Sequence, residues 1–153
     1  MSDLFWPQSE RPFDPERVLA TVQRNWEGTP YWRHLGITVE EVRPAYARLA
    51  MAERPELMNE GGGGLHGGSI ASLIDVAVTA ALWTVYDHEF DLRTHTTIEM
   101  NVSYLAPGYG KMTAEARGLR KGNSVFVGHV DVMDATGVLV ATGRATYRVW
   151  LNK

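Results

Sequence analysis

Cysteine is absent from this chain. That excludes disulfides, thiolate catalysis and thiolate metal sites together, and it suits a reducing, cytoplasmic compartment. A surplus of basic charge is also lacking: 15 Lys and Arg stand against 18 Asp and Glu, for a net charge of -3. That balance argues against a broad nucleic-acid surface. His34, His88, His95 and His129 have no ligand spacing between them, so no metal is expected. The start, Met1-Ser2-Asp3-Leu4-Phe5-Trp6-Pro7, lacks the basic region and apolar run of a signal peptide. The stretch 65–86 is long enough to span a bilayer, but Ser69, Ser72, Asp75 and Thr79 near its middle argue against a membrane role.

What is present is a 153-residue chain, 44% hydrophobic, the size of one domain with its own core. An irregular arm and short helix are expected over 1–30, and a single domain over 31–153. Asp14-Pro15-Glu16 reads as a helix start, and Gly28 and Pro30 as its end. Strands are expected over 36–42, 46–52, 94–105, 112–119, 124–133 and 138–150, with a long helix over 65–86. Along 94–105 the alternation puts Ile98, Met100, Val102 and Tyr104 on one face, and Thr97, Glu99, Asn101 and Ser103 on the other. Four strands after one long helix predict an α+β fold, with an antiparallel sheet packed on that helix.

The long helix carries an apolar stripe of Ile70, Leu73, Ile74, Ala77, Val78, Ala81, Leu82 and Val85. Val76, Ala80 and Trp83 make its back apolar as well. One small sheet does not cover both sides, so a partner subunit is expected to cover the rest. Asp75 lies at the edge of the stripe, and histidine aside it is the only acid or base between Leu65 and Tyr86. Burying an unpaired charge costs several kcal/mol. Asp75 is therefore either a hydrogen-bonded core acid or a group kept for chemistry.

The glycines before this helix invite three readings. Gly62 to Ser69 approaches the phosphate-binding pattern G-x-x-x-x-G-K-S, but Gly68 stands where lysine must be. Gly67-Gly68-Ser69 approaches the nucleophile elbow, but no strand precedes it. Third, Gly61–Gly63 read as a flexible loop, whereas Gly67 and Gly68 open a helix, whose free N–H groups attract anions. His66 reads as a ring tying this loop to the helix start. Asp87-His88-Glu89 reads as a solvated loop. Arg120-Lys121-Gly122 is a basic turn, either solvated or facing phosphates.

Asn59, His66-Gly67-Gly68, Asp75 and Met100-Asn101-Val102-Ser103-Tyr104-Leu105-Ala106-Pro107 together resemble the hotdog-fold acyl-CoA thioesterases, in their PaaI-like branch. The resemblance runs from about Tyr31 to Trp150. It implies a six-stranded antiparallel sheet wrapped around one central helix, joined as a homodimer or homotetramer with sites at the interfaces. It implies Asp75 as general base or nucleophile, and the Gly67 N–H as donor to the thioester oxygen. Asn59 would hold water or substrate, His66 would orient the loop, and Thr97 would contribute from the partner subunit. It places Arg120, Lys121 and Gly122 near the phosphates of coenzyme A, which is part of the substrate; no separate cofactor is implied. One extra glycine separates Asn59 from His66 compared with the family pattern. The alternatives are a non-catalytic hotdog module that binds acyl-CoA, which would not need Asp75, and a hotdog dehydratase, whose Asp/His pair is placed differently.

Overall fold

The computed structural model describes residues 13–87 and 91–152. The arm expected before Phe13, and His88 and Glu89, lie outside the described residues. Helix α1 (Pro15–Gly28) starts where the Asp14 carboxylate accepts the N–H groups of Glu16 and Arg17, each at 3.1 Å. Pro30 does not merely end this helix. It begins a second one, α2 (Pro30–Leu35), because a proline in the first turn gives up no helical hydrogen bond. Gly36 stops α2 at φ 65°, a conformation glycine takes without a Cβ penalty.

Strands β1 (Ile37–Arg43) and β2 (Tyr46–Met51) form the expected hairpin. Helix α3 (Gly67–Trp83) lies a little inside the expected span. Strands β3 (Leu92–Tyr104), β4 (Met112–Lys121), β5 (Val125–Met133) and β6 (Leu139–Leu151) follow. All six strands form one antiparallel sheet in the order β1-β2-β4-β5-β6-β3, and α3 packs against every one of them. This is the α+β hotdog arrangement that the resemblance implied.

The apolar stripe of α3 fills the inner face of the sheet, with Leu73, Ile74, Ala77, Ala81 and Leu82 fully buried. The strands let the helix in by giving up side chains. A Cβ at Gly128 would stand 2.7 Å from Val78 Cγ1. One at Gly143 would stand 3.1 Å from Ile74 Cγ2 and 2.8 Å from the Asn101 carbonyl.

The back of α3 needs no partner subunit, which corrects the expectation from its periodicity. Val76, Ala80 and Trp83 are buried within the single chain. Their cover comes from α1 and α2: the Trp32 ring lies 5.4 Å from that of Trp83, and Trp26 lies 4.5 Å from Trp32. The Trp26 indole N–H donates to the Ile37 carbonyl at 2.9 Å, tying α1 to β1. An apolar helix back shows that something covers it, not which segment does.

Strand β3 also departs from simple alternation. Its register against β6 slips between Thr97 and Glu99, so Ile98 is an extra residue. Thr97 pairs with the buried Tyr147, Met100 with the buried Ala145, and Val102 with Gly143. Directly opposed residues share a face. Thr97, Met100, Val102 and Tyr104 therefore all turn toward the helix, and Thr97 leaves the face it shared with Glu99 on paper.

Gly128→Ala and Gly143→Ala should each lower stability by roughly 1–3 kcal/mol through overpacking. Thermal unfolding of the two variants checks this; an unchanged midpoint in both would contradict so close an approach of helix and sheet.

Candidate active site

The loop before α3 folds on itself. The Asn59 N–H donates to the Gly64 carbonyl at 3.0 Å, and the Asn59 side-chain amide donates to the Leu65 carbonyl at 3.2 Å. Gly61, Gly62 and Gly64 have positive φ, which absorbs the extra glycine in a tight loop. The neck closes where the His66 N–H donates to the Leu57 carbonyl at 2.8 Å. Asn59 is thus anchored to Leu65, two residues before Gly67, with its amide engaged in shaping the loop.

His66 caps α3. Its Nδ1 accepts the Gly68 N–H at 2.9 Å, and its carbonyl accepts the Ser69 N–H, also at 2.9 Å. This is the tie between loop and helix expected of it. Gly67 is the first residue of the helix, and its own N–H meets no acceptor among the described residues. The Tyr104 hydroxyl donates to the Gly67 carbonyl at 2.8 Å, and a Cβ on Gly67 would meet the Tyr104 ring at 3.3 Å. An unengaged N–H at the positive end of a helix is suited to a carbonyl oxygen gaining charge.

Asp75 lies two turns further on and is half-buried. Its Oδ1 accepts the Thr97 hydroxyl at 2.9 Å and also the Tyr147 phenol. The Thr79 hydroxyl in turn stands 2.8 Å from the Tyr147 oxygen. Thr97 therefore serves the Asp75 of its own chain, not that of a partner, and the bulge at Ile98 is what turns it inward. Tyr147 was not singled out in the sequence. A lone tyrosine in a long strand gives no local signal; only the pairing of β3 with β6 brings it to Asp75.

Gly67 and Asp75 of one chain do not meet. Eight helical residues separate them, about 12 Å along the axis. First-turn N–H groups also point away from the helix body. An oxygen held at Gly67 is therefore further still from Asp75 on the same helix.

Between the two lies an open inner surface. Gly68 is exposed and Ala71, Ser72 and Asp75 are partly so, all on one side of α3. Facing them on β3, Met100 is 40% and Tyr104 54% exposed although both sit on the inner face. The helix covers this edge strand only in part.

Arg120, Lys121 and Gly122 lie beyond the far end of α3 from Gly67. The Tyr86 hydroxyl donates to the Gly122 carbonyl at 2.5 Å, and the Lys121 ammonium lies 5.0 Å from the centre of the Tyr86 ring. Burial pulls the Lys121 ammonium below its usual range, against the opposing charge of Asp91. Arg120 is exposed. Among the described residues no group of three or more His, Asp or Glu is placed to hold a metal, and no helix is long and apolar enough to cross a membrane.

Residues 18–150 match the family described as domain of unknown function (DUF4442). Over 132 residues the chain is 36% identical to the medium/long-chain acyl-CoA thioesterase YigI of Salmonella typhimurium, covering 78% of this chain and 85% of that protein. YigI of Escherichia coli matches with the same identity and coverage. A solved protein from the thioesterase superfamily is 30% identical, with a TM-score of 0.77 over 88% of this chain and 99% of its own. The Escherichia coli PaaI protein from the phenylacetic acid degradation operon shares the fold, with a TM-score of 0.78 at 20% identity, over 89% of this chain and 95% of its own.

Two of the six tyrosines are held protonated. Burial pushes Tyr86 up to about 12. Burial, and after it the charge of Asp75, pushes Tyr147 higher still. An unfolded tyrosine ionises near pH 10. Both folded values are raised, so their contribution to stability is complete below about pH 10 and drains as the pH climbs through and past it. An alkaline absorbance titration should show Tyr147 ionising only as the chain unfolds; all six phenols ionising together near pH 10 would contradict this burial.

Proposed function

The chain belongs to the DUF4442 family and to the hotdog thioesterases, a family of thioester hydrolases, and from that premise we propose that it hydrolyses acyl-CoA thioesters with Asp75 as the base. The observation that carries the reading is the Asp75 carboxylate, fixed by two hydroxyls on Oδ1 beside an open apolar surface. Water attacks the thioester carbon as Asp75 takes its proton. The oxyanion that forms is received by a Gly67 N–H. Collapse expels the thiolate of coenzyme A, which recovers the proton. His66 and Asn59 hold the loop that presents Gly67. Every group needed is a side chain or backbone group of the protein, so the reaction requires no added cofactor. Met100, Val102 and Tyr104 along the inner face suit an aliphatic acyl chain, in keeping with the medium and long chains in the name of YigI.

The distance between Gly67 and Asp75 on one helix supports a site made by two copies of the chain, one giving the N–H and the other the carboxylate. Strand β3 supplies the means of joining. It ends the sheet, runs from Leu92 to Tyr104, and leaves its outer N–H and C=O groups open to pairing. Ile98 at 58% exposure and Leu105 at 55% add apolar surface along it. Arg120, with Lys121 beside it, is the proposed contact for the phosphates of coenzyme A.

Asp75→Asn should reduce acyl-CoA turnover by about 10²–10⁴-fold while acyl-CoA binding persists. Thiol release and binding measured on one preparation decide this; near-wild-type turnover would remove Asp75 from the chemistry. Light scattering should report a dimer or larger assembly, and a stable 17.0 kDa monomer at micromolar concentration would contradict the shared site. Replacing Arg120 and Lys121 with alanine should raise KM with little change in kcat, the pattern of binding lost equally in ground and transition states. An unchanged KM would put the phosphates elsewhere.

A further inference from the structure

The Asp75 carboxylate is bonded on one oxygen only. Oδ1 accepts from Thr97 on β3 and from Tyr147 on β6, while Oδ2 has no partner among the described residues. From this asymmetry we infer that Tyr147 is a positioning residue for Asp75: its phenol locks the rotation of the carboxylate and leaves Oδ2 as the atom turned to the substrate. This rests on the reading of Asp75 as the base and adds how that base is held.

The hydrogen-bond pattern has a direction. Tyr147 has a single proton, and its oxygen lies close to both the Asp75 carboxylate and the Asp75 carbonyl, the latter at 2.9 Å. The charged oxygen is the stronger acceptor. The Thr79 hydroxyl then fills a lone pair on Tyr147, giving a chain from Thr79 through Tyr147 to Oδ1. Bonds in such a chain polarise one another, so the phenol becomes a better donor to the carboxylate. The phenol is itself fixed. Tyr147 is 2% exposed, and its ring meets the His95 ring edge-on at a centroid distance of 5.7 Å. His95 in turn accepts the Trp83 indole N–H at 2.8 Å. The donor to Asp75 is thereby built into the helix–sheet core, not carried on a loop.

The other groups around Asp75 leave Tyr147 as the nearest titratable neighbour. From β3 there is His95, behind the Tyr147 ring. From α2 there is Tyr31, bonded to Ser72 at 2.7 Å, one turn away. The buried inner residues of β4 and β5, among them Ala114, Phe126 and Val130, carry no charge.

Tyr147→Phe keeps the ring and removes the hydroxyl. The expected result is a fall in kcat of roughly 10-fold to 100-fold, the scale of a lost charge-assisted hydrogen bond, with KM little changed. Acyl-CoA binding should be retained, because the phenol bonds the carboxylate and not the substrate, so the loss falls on kcat and not on KM. A merely structural tyrosine would lower the amount of active enzyme without lowering kcat per folded site. Since Phe takes the 2.8 Å partner from the buried Thr79 hydroxyl and leaves it only the Asp75 carbonyl at 3.3 Å, the Tyr147→Phe/Thr79→Val double variant is made beside it. It removes both hydroxyls, should recover thermal stability, and should show the same lowered kcat at little-changed KM. A wild-type kcat in either folded variant, with Asp75→Asn inactive, would overturn this role for Tyr147 and leave Asp75 as the base. An active Asp75→Asn would overturn both.

Discussion

The close approach of α3 to the inner face of the sheet is the constraint from which the rest follows. Gly128 and Gly143 have no side chains because Val78 and Ile74 occupy the space. With the helix that deep, whatever stands at the edge of its stripe is pressed against the strands beside it. Asp75 stands at that edge. A carboxylate there requires donors, and β3 and β6 provide them as Thr97 and Tyr147. A packing decision at two strand glycines therefore sets the surroundings of a charged group within one helical turn of Ile74 and Val78.

The same helix imposes a separation. It presents a free N–H at its first residue and a carboxylate two turns later, and helical rise keeps the two about 12 Å apart. In the proposed reaction neither suffices alone: the N–H would receive negative charge on oxygen, and the carboxylate would take a proton from water. Two copies related by a symmetry axis can supply what one helix cannot, since each copy then offers the group that the other lacks at that place. The exposed edge of β3 and the uncovered inner surface beside it lie where such a copy would be received. The inner face thus serves the core along β4, β5 and β6 and remains open along β3.

Much of this could be read from residue order. The helix, the six strands and their antiparallel packing follow from periodicity and from glycine and proline positions. The cap formed by His66 and the cap formed by Asp14 follow from residue type. Four features did not emerge, each for a physical reason. Pro30 reads as a stop, but a proline opens a helix as readily as it ends one, and α2 begins there. The cover over Trp83 reads as a partner's, because apolar periodicity carries no address for what it packs against. The bulge at Ile98 reverses the facing of Thr97, and alternation counted along a strand has no means of showing an extra residue. Tyr147 was invisible for a related reason: its role exists only through the pairing of β3 with β6.

The central claim is that one catalytic site draws Gly67 from one copy and Asp75 from another. Gly67→Pro deletes the N–H at the first helical position, where proline is tolerated, and His66 already has the extended φ -65°, ψ 137° that a following proline requires. Gly67→Pro and Asp75→Asn should each be inactive alone. Unfolded together and refolded as a mixture, they should recover about a quarter of wild-type activity, because half the dimers are mixed and each of those has one of two sites intact. No recovery, from a mixture shown to contain mixed dimers, would mean that Gly67 and Asp75 do not act on one thioester across an interface.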